Sequence, residues 1–484
     1  MLNKSSLLVF LVIFCSISLA ACVSAATDRP SPEQHTLETG VAATMQAALT
    51  ATQAALAGTR VSPAVTLTPP PTTTETATGT HTSTVSPSPT PEPTVSAIIR
   101  LAFIKDGNVW LWIGGKDTIQ LTDTHDTVDL RISDDGQLIA FKRQDPDNVN
   151  SQALWVINTD DSDEERVLIS ATDLAAIMPP DPDSYITGVG ILSFVWRPNT
   201  HEVAYNTLIL HEGPGFGPNY DLRIVNADSL VKTTLLDIQQ GGMFYYSPDG
   251  NQVALSNPDS ISLINADGTN LRQDVLTFPI VGTHSEYLYC PHPIWASDSR
   301  SLRVAIPPEE TLASPLPPTG LWSLPVDGSP AVLLGNIQAI PFAWPDHAFA
   351  PDLSHVIYVM YAEGQIENQR ELHIANPDGS NDTVYDRGES LEFTSWSPDS
   401  QHFIYLIDGG ENQGLYLGAL AGTPEQVTLL PRLMSNIQWL DGSRFAYLLW
   451  NGSQWELRIR NLSGEDLAFI DTITDSYPAY DVQP

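Results

Sequence analysis

From Ile98 to Pro484 one unit recurs with a period of roughly fifty residues, and a repeat of that length must be read before any single element is assigned. An apolar strand runs into a Ser/Pro/Asp/Gly turn and out into an alternating strand. The clearest copies are Ser133-Asp134-Asp135-Gly136 before Gln137-Leu138-Ile139-Ala140-Phe141, and Ser247-Pro248-Asp249-Gly250 before Asn251-Gln252-Val253-Ala254-Leu255. Weaker copies begin at Trp196-Arg197-Pro198-Asn199, Trp295-Ala296-Ser297-Asp298, Ala350-Pro351-Asp352, Trp396-Ser397-Pro398-Asp399 and Trp439-Leu440-Asp441-Gly442, which makes seven hairpins. Asp-Gly and Pro-Asp pairs between alternating apolar residues signal tight β-turns, because these side chains tolerate or preset the turn dihedrals.

A third strand follows each hairpin, as in Leu222-Arg223-Ile224-Val225-Asn226 and in Ile261-Ser262-Leu263-Ile264-Asn265-Ala266-Asp267-Gly268. A short fourth strand, such as Arg166-Val167-Leu168-Ile169 or Gln426-Val427-Thr428-Leu429, closes the unit. Four antiparallel strands per repeat without helical periodicity predict an all-β chain built as a β-propeller of four-stranded blades. The Ser-Pro-Asp turns, the Ile-Ala-Phe-like strands and the Asn-Ala-Asp-Gly strand ends resemble the TolB-like propeller repeats, within the wider group of WD-type propellers. That resemblance implies the fold over nearly all of residues 98–484. It carries no partner across, because the family's best-known members have an α/β domain ahead of the propeller, where this chain has a signal and a stalk. Related repeats gate some serine oligopeptidases, whose hydrolase domain is not expected here, since the repeats run to the C-terminus.

The ends predict the blade count. Arg100-Leu101-Ala102-Phe103-Ile104 and Val109-Trp110-Leu111-Trp112 lack a preceding innermost strand, whereas Ser476 to Val482 reads as an innermost strand without followers. Joined, they complete one blade and hide a sheet edge. Eight blades are expected, with seven as the alternative. Strand alternation then puts the first-to-second and third-to-fourth turns on one face and all other connections on the opposite face. Only the second set carries insertions, at 144–152, 170–189, 208–220, 278–289, 306–319 and 361–370. Loops held on a rigid frame are where binding residues gather. The candidate recognition residues on that face are Tyr185, His211, Glu212, Phe216, Tyr220, His284, Tyr287 and Glu309, among neighbours such as Tyr289, Asp181, Asp183 and Glu310.

The N-terminus predicts the location. Lys4, the apolar run Leu7 to Ile17 and Leu19-Ala20-Ala21 before Cys22 read as a signal peptide over 1–21, too short to span a bilayer. Leu19-Ala20-Ala21-Cys22 resembles the bacterial lipobox, which implies cleavage before Cys22, acylation of Cys22 and a membrane anchor facing the extracytoplasmic side. Residues 22–60 are Ala/Thr-rich with a weak helical stripe. Residues 61–97 are rich in Thr, Pro and Ser, a composition that extends rather than packs. Of three cysteines, Cys15 would leave with the signal and Cys22 would be acylated, so Cys290 has no partner for an internal disulfide and is expected to be a buried, inert thiol.

Asp plus Glu number 57 against 22 Lys plus Arg, a formal charge of −35, which argues against a nucleic-acid partner. No Gly-x-Ser-x-Gly elbow, His-Glu-x-x-His, phosphate-binding loop or dinucleotide fingerprint occurs, and no cofactor or metal is expected. The reading that follows is a lipid-anchored binding or scaffold module for a protein, peptide or glycan. The competing reading is an exported hydrolase or lyase with acidic residues at the central channel.

Overall fold

The computed structural model describes residues 99–484 except 161–163, 179–185, 212–216, 343–347, 363–368, 429–433, 477 and 484. The chain divides into two units, Met1–Val95 and Ser96–Pro484, and everything described belongs to the second. The expected signal peptide, Cys22, the Ala/Thr-rich segment and the expected linker therefore lie outside the described residues.

The turn residues fold as their chemistry dictates. In the Ser-x-Asp turns the hydroxyl of Ser133 donates to Asp135 Oδ1 (2.7 Å) and accepts from the backbone N–H of Leu138 (3.0 Å), and Asp135 Oδ1 also accepts from the N–H of Gln137. Ser247 with Asp249, and Ser397 with Asp399, repeat the same clasp. The residue after each Asp takes a left-handed conformation, which glycine reaches without a steric penalty at Gly136 (φ 67°) and Gly250 (φ 69°). At Ser299, Leu353 and Ser400 the same geometry is imposed on L-residues.

Eight antiparallel sheets result. Blade 2 (Thr127–Ile132, Leu138–Asp145, Asn148–Asn158, Arg166–Ile169) is the simple case, and blades 4, 5, 7 and 8 follow it. In blade 3, Gly217–Pro218 folds back as a short extra strand on Leu208 and Ile209. In blade 6 the innermost position is held by a single bridge, Phe349 to Val356, beside a three-stranded sheet. Blade 1 is closed by the C-terminus as expected, with Tyr480–Gln483 antiparallel to Arg100–Phe103 in the order innermost to second strand.

The core lies between the blades. Eight clusters of buried apolar residues are present, each built from the facing sides of two consecutive sheets. The cluster of Leu101, Phe103, Ala446, Leu448, Leu457 and Ile459 joins blade 8 to blade 1, so eight interfaces close one ring. Burying each such large side chain stabilises by about 1.5–3 kcal/mol.

Next to the axis, polar stitches fix the angle between blades. The tryptophan ending each of four innermost strands donates its indole N–H one blade back: Trp196 to Arg131 O (2.9 Å), Trp295 to Tyr245 O (3.0 Å), Trp396 to Ala348 O (3.3 Å) and Trp439 to Ser395 Oγ (3.1 Å). Adjacent turns are also linked, Asn199 N–H to Asp134, Asp249 N–H to Ser299 Oγ and Asp352 N–H to Ser400 Oγ. At the seam the N–H of Ile132 donates to Asp481 Oδ2 (2.8 Å) and Gln483 Nε2 donates to Asp134 O (2.9 Å).

Two expected loops are more ordered than their composition implied. Residues 144–152 are a long hairpin continuing blade 2, paired as Gln144 to Gln152 and Asp145 to Asn148. The 170–189 insertion begins with a helical turn, Ala171–Ala175, capped by Ser170 and Asp173, which bond to each other's backbone N–H groups. It ends in the first strand of blade 3, Ile186–Trp196.

Candidate recognition face

The second-to-third and fourth-to-first connections stand on the face away from the Ser-x-Asp turns. Three of them, at blades 4 to 6, are tied into one surface. The N–H of Gly282 donates to Glu309 O (2.8 Å) and Thr311 Oγ1 donates to Gly282 O, joining the 278–293 connection to the 307–318 loop. A Cβ on Gly282 would sit 2.9 Å from Glu309 O, so this approach requires glycine. Tyr289 meets Phe342 edge to face at 5.2 Å between ring centroids, adding the connection after blade 5. Tyr220 OH lies 3.9 Å from Cys290 Sγ, adding the blade 3 loop.

Of the candidate residues, His284, Tyr287 and Glu309 are brought onto this surface, His284 and Glu309 exposed and Tyr287 half-buried. Thr283 Oγ1 donates to Tyr287 O and shapes the loop around His284, whose φ is 53°. Tyr220 reaches it through Cys290. His211 sits apart, at the end of a blade 3 strand with its Nε2 near Gly217. Tyr185, Glu212 and Phe216 lie outside the described residues. Burial pushes the Cys290 thiol up to about 11 despite Tyr220, so it stays protonated and a poor nucleophile.

The residues anchoring this face escaped sequence reading. Asp221, fully buried, accepts from the N–H of Thr207 (2.8 Å), from Thr207 Oγ1 (2.9 Å) and from Arg223 Nε (2.7 Å), while Asn219 Nδ2 donates to Thr207 Oγ1. A buried carboxylate is tolerable only with such a full set of donors, and losing one leaves an uncompensated charge. The sequence signal was an Asp two residues before an Arg at the mouth of a strand. Four apolar side chains were also passed over: Ile280, Leu288, Leu312 and Phe342 are 48, 57, 76 and 46 % exposed, all on these three connections.

Cavities among the described residues also lie elsewhere. A polar cleft of about 540 Å³ at blade 3 is lined by Asp173, Tyr205, Arg223, Lys232, Thr234 and Asp237. Burial tends to raise the Asp173 carboxyl, but bonds from Lys232 (2.6 Å) and Ser170 outweigh it and hold it at about 2. An apolar pocket of about 390 Å³ sits at the turn end of the innermost strands among Trp295, Phe349 and Trp396. Along the innermost strands, Asp129 accepts from Arg131 (2.8 Å) and Glu392 lies 3.7 Å from Arg370. Burial raises Asp481 to about 6 against the pull of Arg131, with Asp129 adding to the rise. Among the described residues no three His, Cys, Asp or Glu side chains are arranged to hold a metal ion, and no helix is long and apolar enough to cross a membrane.

No protein-family model matches the chain, and no curated protein matches it. Among solved structures it is similar to TolB from Acinetobacter baumannii, at 11% identity over 61% of this chain and 66% of that one, with a TM-score of 0.30. It is similar to an oligogalacturonate lyase from Vibrio parahaemolyticus at 13% identity, covering 65% and 83% of the two chains, with a TM-score of 0.40. A eukaryotic initiation factor matches at 10% identity over 80% and 99%, with a TM-score of 0.46. Likeness this distant assigns neither family nor activity; the propeller rests on its own eight sheets.

Proposed function

We propose that the chain is a lipid-anchored, extracytoplasmic propeller whose elaborated face binds a protein, peptide or glycan. The lipobox-like Leu19-Ala20-Ala21-Cys22 supports the anchor. The observation that carries the binding role is the gathering of Ile280, Leu288, Leu312 and Phe342 on connections tied into one surface, since exposed apolar side chains clustered in one place mark interaction sites.

The test is cross-linking in intact cells, followed by detergent extraction and pull-down, with the full chain and with one whose 278–289 connection is shortened. A partner lost on shortening supports the role; an identical set of cross-linked species from both chains refutes it. Membrane partition of Cys22→Ala tests the anchor separately: the variant is expected to leave the membrane fraction or stall unprocessed, and unchanged partition removes the lipid claim.

One observation favours catalysis as a second reading, the raised carboxyl of Asp481 beside Asp129 and Arg131, because catalytic acids need such shifts. The same carboxyl accepts the Ile132 N–H that seals the ring, which gives it a structural occupation.

A further inference from the structure

The recognition face at blades 4 to 6 has a charge pattern as one-sided as its apolar content. Between Gln273 and Gln369 the only Lys or Arg residues are Arg300 and Arg303. Arg300 belongs to a turn on the opposite face, and Arg303 lies within a strand, half-buried and donating to Ser323. The connections at 278–293, 307–318 and 338–347 thus contain no Lys or Arg at all. They do present Glu286, Glu309 and Glu310, all exposed, and none of the three carboxylates makes an ion pair among the described residues. Elsewhere some carboxylates of this chain are met by cations, as Glu165 by Arg143, Glu202 by Arg197 and Asp466 by Arg458. Here the apolar side chains Ile280, Leu288, Leu312 and Phe342 stand among unmatched negative charge.

Building on the binding role above, we infer that this surface takes a basic protein segment carrying large apolar side chains beside Lys or Arg. Apolar anchors would pack on Leu288, Leu312 and Phe342 while their flanking cations meet Glu286, Glu309 and Glu310, the two patterns matching across one interface. A membrane surface is disfavoured by the same carboxylates, which repel anionic headgroups.

The experiment is fluorescence anisotropy with the full chain and three synthetic peptides: one alternating arginine with leucine and tryptophan, one with glutamine for arginine, and one with serine for the apolar residues. The basic apolar peptide is expected to bind, to weaken with added salt, and to lose about tenfold in affinity both in Glu286→Gln/Glu309→Gln/Glu310→Gln and in Leu288→Ser/Leu312→Ser. All five positions are exposed, so circular dichroism should report an unchanged fold. Equal binding of the glutamine peptide, lost only in the serine variant, overturns the partner chemistry and leaves the recognition face standing. Binding indifferent to both variants overturns the face as well. Capture of the chain by phosphatidylglycerol vesicles through Leu312 would replace the basic segment with a lipid surface and so overturn the inference.

Discussion

Asp481 offers the sharpest test of how the ring is sealed. Its carboxyl closes the seam by accepting the Ile132 N–H, yet burial raises it from 3.8 to about 6, the Arg131 charge notwithstanding. Between those values the native chain holds a proton that the unfolded chain has released. Stability therefore falls as pH rises through this window. A shift of about two units corresponds to about 3 kcal/mol at pH 7, an upper figure because the side chain keeps some solvent contact. Asp481→Asn preserves an acceptor for Ile132 and removes the charging step. The variant should match the wild type near pH 4 and exceed it by up to about 3 kcal/mol at pH 7. With an unfolding entropy of about 2.1 cal/mol/K per residue over the folded unit, that is about 4 °C in Tm. Scanning calorimetry of both chains from pH 4 to 8 reads the difference directly. Equal Tm values at pH 7, or a less stable variant, would refute the assignment and show that Arg131 compensates the charge in full.

The remaining predictions probe the stitches. His201 bridges blades 2 and 3 through Asp135 (3.0 Å) and Asp228 (2.9 Å); burial lowers its pKa, but the two carboxylates raise it by more. His201→Gln should cost about 0.5–1 kcal/mol, because Asp135 and Asp228 are well exposed. The histidine's share is complete below 6.5 and fades as pH rises through its raised value, while that of Asp135 is complete above 3.8 and fades as pH falls. The loss in urea midpoint should therefore be largest between those two values, and a pH-independent loss would contradict the bridge. Trp295→Phe leaves Tyr245 O without its indole donor and should lower stability by about 1–3 kcal/mol in denaturant melts, with an unchanged midpoint counting against the stitch. Gly335→Ala puts a Cβ against the backbone oxygen of Asp378 in the next blade and should cost about 1–3 kcal/mol or reduce soluble yield, whereas a neutral result would mean the two blades are less tightly apposed.

The ring was legible because its signals are local and repeated. Ser133, Ser247 and Ser397 each clasp their own turn, so a few adjacent residues specify each hairpin. The closing strand could be inferred from two incomplete ends, since an unpaired edge needs a partner. The hairpin at 144–152 reads as a loop because Val149 is the lone large apolar residue among Asn148, Asn150, Ser151 and Gln152. Beyond the core a hairpin needs only backbone pairing, and Gln152 Oε1 also accepts the N–H of Ile191 from blade 3. Asp221 was missed because a single Asp in a strand mouth reads as solvated, and only the fold brings Thr207 and Asn219 around it. The apolar cluster was missed for a related reason: Leu288, Leu312 and Phe342 are far apart in the chain, and one exposed leucine in a loop is ordinary.

Why insertions collect on one face follows from the same stitches. Beside the axis each Ser-x-Asp turn is bonded internally, and several are also bonded to the turn of the next blade, as Asp134 is to Asn199 and Asp352 to Ser400. Added residues there would break the clasp, the link and the register of the tryptophan behind them, three interactions lost at once in a ring where each blade fixes its neighbours. The opposite connections lack that repeated clasp and turn-to-turn link, and bond to the frame singly, as Pro291 O does to Ser256 Oγ. The blade 4 to 5 connection rests on the blade 5 loop through Gly282 and on Phe342 through Tyr289, contacts made among the insertions themselves. Chemistry can therefore vary on that face at little cost to the ring, and the exposed Leu288, Leu312 and glutamates stand where the frame does not need them. A binding requirement is the simplest physical reason for such residues to be there.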